Sequence, residues 1–150
     1  EQVKNSLSYA NKNAFKDGFD LSLLIFDFTN YTYYFSAAYN PVYVNQNGQL
    51  KKLEGDRQPV GIYPREKPFS EIHGTFSKGD VFYLASDGFS DQLGGPKGRK
   101  YTKKQLRKKL EGIKHEQMDK QHAIMQEELD KWIQNSPGQV DDILLIGLRI

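Results

Sequence analysis

The sequence has no cysteine, which excludes a disulfide framework, a thiol nucleophile and a thiolate metal site and agrees with a reducing, cytoplasmic setting. Any metal must then be held by oxygen or histidine ligands, and there are only three histidines. No run approaches the roughly 18 apolar residues that span a bilayer. The N-terminus carries no charged-then-apolar leader, so no membrane segment is expected here. Neither sign of charge dominates: 21 basic residues against 19 acidic leave a net +2, too balanced to imply a nucleic-acid or membrane partner by itself. Internal repeats and low-complexity tracts are also missing. A mean hydropathy of -0.71 leaves no large surplus of apolar side chains. Even so, 150 residues suffice to bury a core, and one compact domain over residues 1–150 is expected. The chain begins with Glu1, not Met, and reads as a piece of something longer.

What is present is an ordered series of periodic segments. Val3, Leu7, Ala10 and Ala14 recur at helical spacing, and Asp17-Gly18 ends that helix. Phe19 to Phe28 is mostly apolar, as a strand buried on both faces would be. Thr29-Asn30 turns the chain into a return strand over Tyr31 to Ala38. Val42-Tyr43-Val44 continues extended, and Asn47-Gly48 is a hairpin signal because both residues tolerate the positive φ of a type I′ turn. Gln49 to Leu53 pairs back across it. Prolines 59, 64 and 68 mark a connection, Phe69 to Phe76 alternates as a strand, and Val81 to Ala85 is an apolar core strand ending in Ser86-Asp87-Gly88. Gly94 to Gly98 reads as a mobile loop. Thr102 and Gln105 form a capping-box pattern opening a helix to Ile113. A second helix over Gln117 to Asn135 carries Met118, Met125, Leu129, Trp132 and Ile133 on one stripe. Ser136-Pro137-Gly138 stops it, and Val140 to Ile150 closes the chain as a strand inserted among the earlier ones. Segregated strands and helices of this kind predict an α+β fold.

The residues that could carry chemistry are acidic and sit at strand ends: Asp87 and Asp91 after the core strand, Asp141 and Asp142 entering the last one. If those two strands lie antiparallel and adjacent, their acidic ends meet at one edge. Carboxylates without histidine or cysteine suit hard cations such as Mg²⁺ or Mn²⁺. A bound cation of that kind acidifies water and polarises a phosphoryl oxygen, so hydrolysis needs no side-chain nucleophile. Taken singly, each aspartate reads as readily as a turn residue or a solvated strand entry.

Leu84-Ala85-Ser86-Asp87-Gly88-Phe89-Ser90-Asp91, followed later by Gln139-Val140-Asp141-Asp142-Ile143-Leu144-Leu145-Ile146, resembles the last two metal motifs of the SpoIIE-like branch of the metal-dependent, protein phosphatase 2C-like serine/threonine phosphatases. Asp17-Gly18-Phe19-Asp20, Tyr39-Asn40-Pro41, Pro59-Val60-Gly61 and Lys78-Gly79-Asp80 fall in the family's order, so the resemblance covers nearly the whole chain. It implies a mostly antiparallel phosphatase 2C-like β-sandwich flanked by helices. By the same resemblance Asp87 corresponds to a metal-binding aspartate, Asp141 to the terminal ligand with Asp142 its neighbour, and Asp91 to a weaker additional ligand. Gly88 would let the backbone turn sharply beneath the ion. The reaction implied is hydrolysis of phosphoserine or phosphothreonine in a protein substrate by water bridging two Mn²⁺ or Mg²⁺ ions, within a bacterial signalling protein whose upstream part senses a signal. Two family motifs that supply further ligands are missing from these residues, and Tyr39 replaces the family's histidine and Ala38 its glycine. The chain thus resembles the C-terminal portion of such a domain, holding a partial metal site and exposing sheet surface that the missing portion, or a second copy in a homodimer, would cover.

Lys97, Arg99, Lys100, Lys103, Lys104, Arg107, Lys108 and Lys109 form the strongest charge cluster. Leu106, Leu110 and Ile113 fall together at helical spacing, so the cluster reads as the solvated face of an amphipathic helix. Lys103 and Lys104 are candidates for the rim that attracts an acidic phosphoprotein, because the resembled family places this region near its active site. Two further functions stay open: a phosphatase-like module that binds or regulates without catalysing, and a nucleic-acid-binding domain using the basic helix. Tyr31, Tyr33, Tyr34, Tyr39 and Tyr43 are expected to pack across strands and not to stack bases, the Met118–Trp132 stripe to be core, and His73, His115 and His122 to be ordinary surface or half-buried side chains.

Overall fold

The computed structural model describes residues 18–150 other than 62, 135 and 137, so the helix expected over residues 1–16 lies outside the described residues. The chain runs through β1 (Gly18–Phe19), β2 (Leu21–Asp27), β3 (Thr32–Ala38), β4 (Val42–Gln46), β5 (Gln49–Leu53), β6 (Val60–Gly61), β7 (Ile72–Thr75) and β8 (Val81–Ala85). It continues through α1 (Gly88–Asp91), β9 (Leu93–Gly94), β10 (Arg99–Lys100), α2 (Lys103–Ile113), α3 (Met118–Ile133) and β11 (Leu145–Arg149). The class is α+β, with antiparallel pairing in the strand ladders. The described residues fall into two compact units. One contains the described residues up to Pro41 together with Leu53–Thr75; the other contains Val42–Lys52 and Phe76–Ile150.

In the first unit β2, β3 and β7 form a sheet in that order, and β1 pairs with β6. The β2–β3 hairpin is closed by Asp27, whose carboxylate accepts from the backbone of Thr29 at 2.8 Å and Asn30 at 3.1 Å and from the Asn30 amide at 2.8 Å. These bonds, the Asn30 side chain first, hold the Asp27 carboxyl below the usual carboxylate range. Tyr31 then takes a left-handed φ of 54°, so it is a turn residue and not the cross-strand packing residue expected. Tyr33 does pack: it is buried, and a Cβ on the facing Gly74 would lie 2.6 Å from its hydroxyl. β2 departs from expectation. Leu21, Leu23 and Ile25, on one face of the strand, are exposed, Ile25 by 51%. The run is apolar on both sides, but only one side is covered by described residues.

The second unit holds a four-stranded sheet ordered β11, β8, β4, β5. Asn47 and Gly48 have φ of 50° and 74°, the mirror-image turn that the Asn-Gly pair favours. Val81, Phe82 and Tyr83 are all buried, as expected for a central strand. β8 is seated by Asp80, a buried carboxylate accepting from Gln46 Nε2 at 2.8 Å and from the Ser77 backbone at 2.9 Å. That is the structural reason for Lys78-Gly79-Asp80. β11 is shorter than predicted, beginning at Leu145, and among the described residues it takes the sheet edge beside β8 instead of inserting among earlier strands. Residues 140–144 are committed to the approach to that edge.

The helices close the core over this sheet. Thr102 accepts from the Gln105 backbone at 3.3 Å, the expected cap of α2. Leu106, Leu110 and Ile113 are buried with Tyr43, Leu50, Val81, Tyr83, Phe89, Tyr101 and Met125, while Met118, Leu129 and Trp132 pack against them. Each such side chain contributes on the order of 1.5–3 kcal/mol of burial, so the methionine–tryptophan stripe is core. Gly94 to Gly98, read as a mobile loop, is part of a small hairpin in which β9 and β10 pair. Gly94 is required there because a Cβ would stand 2.0 Å from the Trp132 carbonyl oxygen.

Candidate metal centre

The arrangement of the acidic ends follows from strand register. β11 pairs antiparallel with β8, with Leu145 opposite Ala85 and Arg149 opposite Val81. The end of β8 and the start of β11 therefore coincide, which brings Asp87 and Asp141-Asp142 to the same sheet end. Three contacts extend the ladder past the last paired residues. Ser86 N donates to the Leu144 carbonyl at 2.9 Å, Ser86 Oγ donates to the Asp142 carbonyl at 3.1 Å, and Leu144 N donates to Ser86 Oγ at 3.0 Å. Gly88 completes the approach, since a Cβ there would lie 2.2 Å from the Asp142 carbonyl oxygen. The glycine is thus required by close backbone contact, whereas a sharp turn beneath an ion was expected. Gly88 opens the short helix α1, with Asp87 at its N-cap in a right-handed conformation.

The carboxylates differ in their surroundings. Asp87 is half-buried, and Asp141 and Asp142 are exposed. Asp141 accepts from the Asp142 backbone at 2.7 Å. Among the described residues no basic side chain pairs with Asp87, Asp141 or Asp142. Asp91 is different, because its carboxylate meets Lys100 Nζ at 2.7 Å. As donors the three uncompensated aspartates fit a hard divalent cation in kind. They do not complete a site: among the described residues no three or more histidine, aspartate or glutamate side chains gather closely enough to hold an ion.

Other candidates resolve into ordinary roles. His73, His115 and His122 are exposed, as expected. Tyr39, at the position of the family histidine, is an exposed residue with φ of 62° whose N–H donates to the Asp56 carbonyl at 2.9 Å, so it serves a turn and not a strand face. Lys103 and Lys104 are exposed on the first turn of α2, and Lys109 is tied to Glu128 at 2.6 Å. Beneath α3 a cavity of about 710 Å³ is lined by Met118, Met125 and Leu129 together with Ile143 and Leu145. Its lining is mixed, since Tyr83, Asp119, Gln121 and His122 also border it.

The residues missed from sequence are those that hold the acidic loop. Gln92 is fully buried; its amide nitrogen donates to the carbonyls of Leu93 and Gly138, each at 2.9 Å, and its amide oxygen accepts from Val140 N at 3.2 Å. A lone glutamine after an acidic turn gives no sequence signal. Ser86 carried one only through its place beside Asp87-Gly88.

The antiparallel α+β fold is that of PP2C-type phosphatase domains. The SiaA-PP2C domain of Pseudomonas aeruginosa superimposes with a TM-score of 0.85 at 23% identity, over 99% of this chain and 57% of that one. The phosphatase domain of SpoIIE from Bacillus subtilis gives 0.64 at 19%, over 99% and 64%. The catalytic domain of the serine threonine protein phosphatase PstP in complex with two manganese ions gives 0.59 at 15%, over 97% and 64%. The chain belongs to the Stage II sporulation protein E (SpoIIE) family, whose model matches residues 3–150. No curated protein matches it. The chain spans 57 to 64% of the length of these solved structures.

Proposed function

We propose that this chain is the C-terminal part of a single metal-dependent protein serine/threonine phosphatase domain, to which both compact units belong. The observation that carries the reading is the contact of Gly88 with the Asp142 carbonyl beside the β8–β11 ladder, which sets two acidic loops of the family's pattern against one another. Asp87, Asp141 and Asp142 would supply oxygen ligands to Mn²⁺ or Mg²⁺, and Asp91 a weaker one once freed from Lys100. When bound, such a cation supplies an acidified water and charge neutralisation for a phosphoryl group. The chain's own work is to present the carboxylates from a rigid sheet end. The substrate class is a phosphoserine or phosphothreonine protein, drawn in part by Lys103 and Lys104, and a sensing region precedes the domain in the full-length protein. The exposed faces of β2 and β11 are where the rest of the domain, or a second copy, would pack.

The test is Mn²⁺ titration of the chain by electron paramagnetic resonance. Asp87→Asn and Asp141→Asn are expected each to weaken binding about tenfold or more with the fold retained, and Asp91→Asn to weaken it least. Unchanged binding in both Asp87→Asn and Asp141→Asn overturns the assignment.

A further inference from the structure

Around Asp87 the backbone is fastened to the Asp141-Asp142 loop at two points, one on either side. Upstream, Ser86 Oγ bridges the Asp142 carbonyl and the Leu144 N–H at 3.1 and 3.0 Å. Downstream, the fully buried Gln92 amide holds the Gly138 carbonyl at 2.9 Å and the Val140 N–H at 3.2 Å. Gln92 is itself fixed from three directions. Trp132 Nε1 donates to its carbonyl at 3.0 Å, Tyr101 N donates to the same carbonyl at 3.0 Å, and its own side chain returns to Leu93. A glutamine buried to this degree, with donor and acceptor both used, has one rotamer available. Removing its amide would cut the bonds that tie Gly138 O and Val140 N to the core, leaving Gly138 O only its longer bond from Ser136 Oγ at 3.3 Å.

We infer that Ser86 and Gln92 are positioning residues: a two-point staple that sets the separation between Asp87 and Asp141-Asp142, and so the fit of both to one cation. The inference rests on the reading of those aspartates as ligands. Neither residue carries a charge or faces the ion in this role. Among the described residues the short segment Gln139–Ile143 has no strand pairing of its own before Leu145, so these side-chain bonds share its placement with the Gly88 contact and the packing of Ile143 on the core. Ser86 holds its end and Gln92 its beginning.

The experiment uses isotope-labelled chain and three variants. Gln92→Met keeps the volume and removes the amide, and Ser86→Ala removes the hydroxyl. Gln121→Met is the control, because Gln121 is also buried and hydrogen-bonded, to Tyr83 at 2.8 Å, but touches neither acidic loop. Amide hydrogen exchange without metal reads the staple itself. Gln92→Met and Ser86→Ala are expected to speed exchange at Val140 to Leu144 by about tenfold or more relative to the β8 amides, and Gln121→Met not to. Paramagnetic broadening by Mn²⁺ reads the consequence. In the wild-type chain the signals of Asp87-Gly88 and Asp141-Asp142 should broaden together, and in Gln92→Met the second pair should need about tenfold more Mn²⁺. Ser86→Thr, which keeps the hydroxyl, should restore wild-type behaviour. Broadening together in the wild type with unchanged loop exchange and unchanged Mn²⁺ response in Gln92→Met overturns the staple, as does a rise in exchange no more local than that of Gln121→Met. Absence of any Mn²⁺ effect in the wild type instead overturns the ligand reading, and exchange still decides whether the loop is stapled.

Discussion

Gly88 and Asp142 touch through their backbones, with no room between them for a methyl group: a Cβ at 88 would stand 2.2 Å from the Asp142 carbonyl oxygen. Gly88 opens α1 just after β8 and Asp142 lies just before β11, so separating them would strain the Ser86 bonds to Asp142 and Leu144. Gly88→Ala is therefore expected to destabilise the second unit by about 3 kcal/mol, at the upper end of overpacking costs, or to push the Asp142 loop away. Urea unfolding checks the first outcome and hydrogen exchange at Ile143 and Leu144 the second. A variant as stable as wild type with the loop unmoved would show the contact to be looser than described.

Tyr101 gives a pH prediction. Burial first, then its hydrogen bond to Glu128 and the charge of that carboxylate, hold its phenol well above the usual range. Burial works to raise Glu128, but hydrogen bonds from Lys109 and Tyr101 outweigh it and leave that carboxyl below its ordinary value. For Tyr101 the folded state favours the protonated form, so its contribution is fully present below the unfolded value of 10.0 and is lost as pH rises beyond it. The loss is roughly 1.4 kcal/mol per pH unit above that point. Tyr101→Phe should lose about 1 kcal/mol at neutral pH, the usual net worth of one hydrogen bond, and show a shallower decline above pH 10. Thermal melts from pH 8 to 11 check both.

The basic face of α2 predicts a kinetic effect. Lys103 and Lys104 are exposed at the helix start, whereas Lys100 and Lys109 are engaged with Asp91 and Glu128. Reversing both charges in the complete enzyme, Lys103→Glu with Lys104→Glu, should raise KM for an acidic phosphoprotein several-fold at low ionic strength and leave kcat near wild type. The difference should fade by about 0.5 M salt. An unchanged KM at low salt would remove these lysines from the substrate path.

How much of this was legible from sequence depended on whether the signal was local. Asn47-Gly48 and the Thr102–Gln105 cap are decided by a few neighbouring residues, and both appear as read. The pairing of β8 with β11 entered only as a condition on two apolar runs with acidic ends, and the register meets that condition. The exposed side of β2 was not legible, because an apolar run looks the same whether its second face is covered within this chain or not. Nor was the edge place of β11, since nothing in a strand's composition states its neighbours. Gln92 was invisible for another reason: a buried glutamine works only through partners far away in sequence, Gly138 and Val140.

The exposed strands make a prediction about the chain in isolation. Leu21, Leu23 and Ile25 on β2, and Leu144, Ile146 and Leu148 at and before β11, are exposed apolar side chains on strands that stand at sheet edges among the described residues. Such surfaces associate. Sedimentation of the 150-residue chain should show concentration-dependent self-association, reduced by Leu23→Lys with Ile25→Lys without loss of helix content by circular dichroism. A strictly monomeric wild-type chain at about 100 μM, well within the range where such edges aggregate, would contradict this.

The central claim concerns catalysis by carboxylates that this chain shares with the rest of its domain. The measurement is Mn²⁺-dependent hydrolysis of a phosphoserine peptide by the 150-residue chain and by one extended N-terminally to the full length of its structural relatives, each with and without Asp87→Asn. The account predicts hydrolysis by the extended chain, its loss by at least about a hundredfold in Asp87→Asn, and little or none by the 150 residues alone. An extended chain that folds and binds Mn²⁺ yet hydrolyses nothing, or one whose activity survives Asp87→Asn, would contradict it and leave a phosphatase-like binding module.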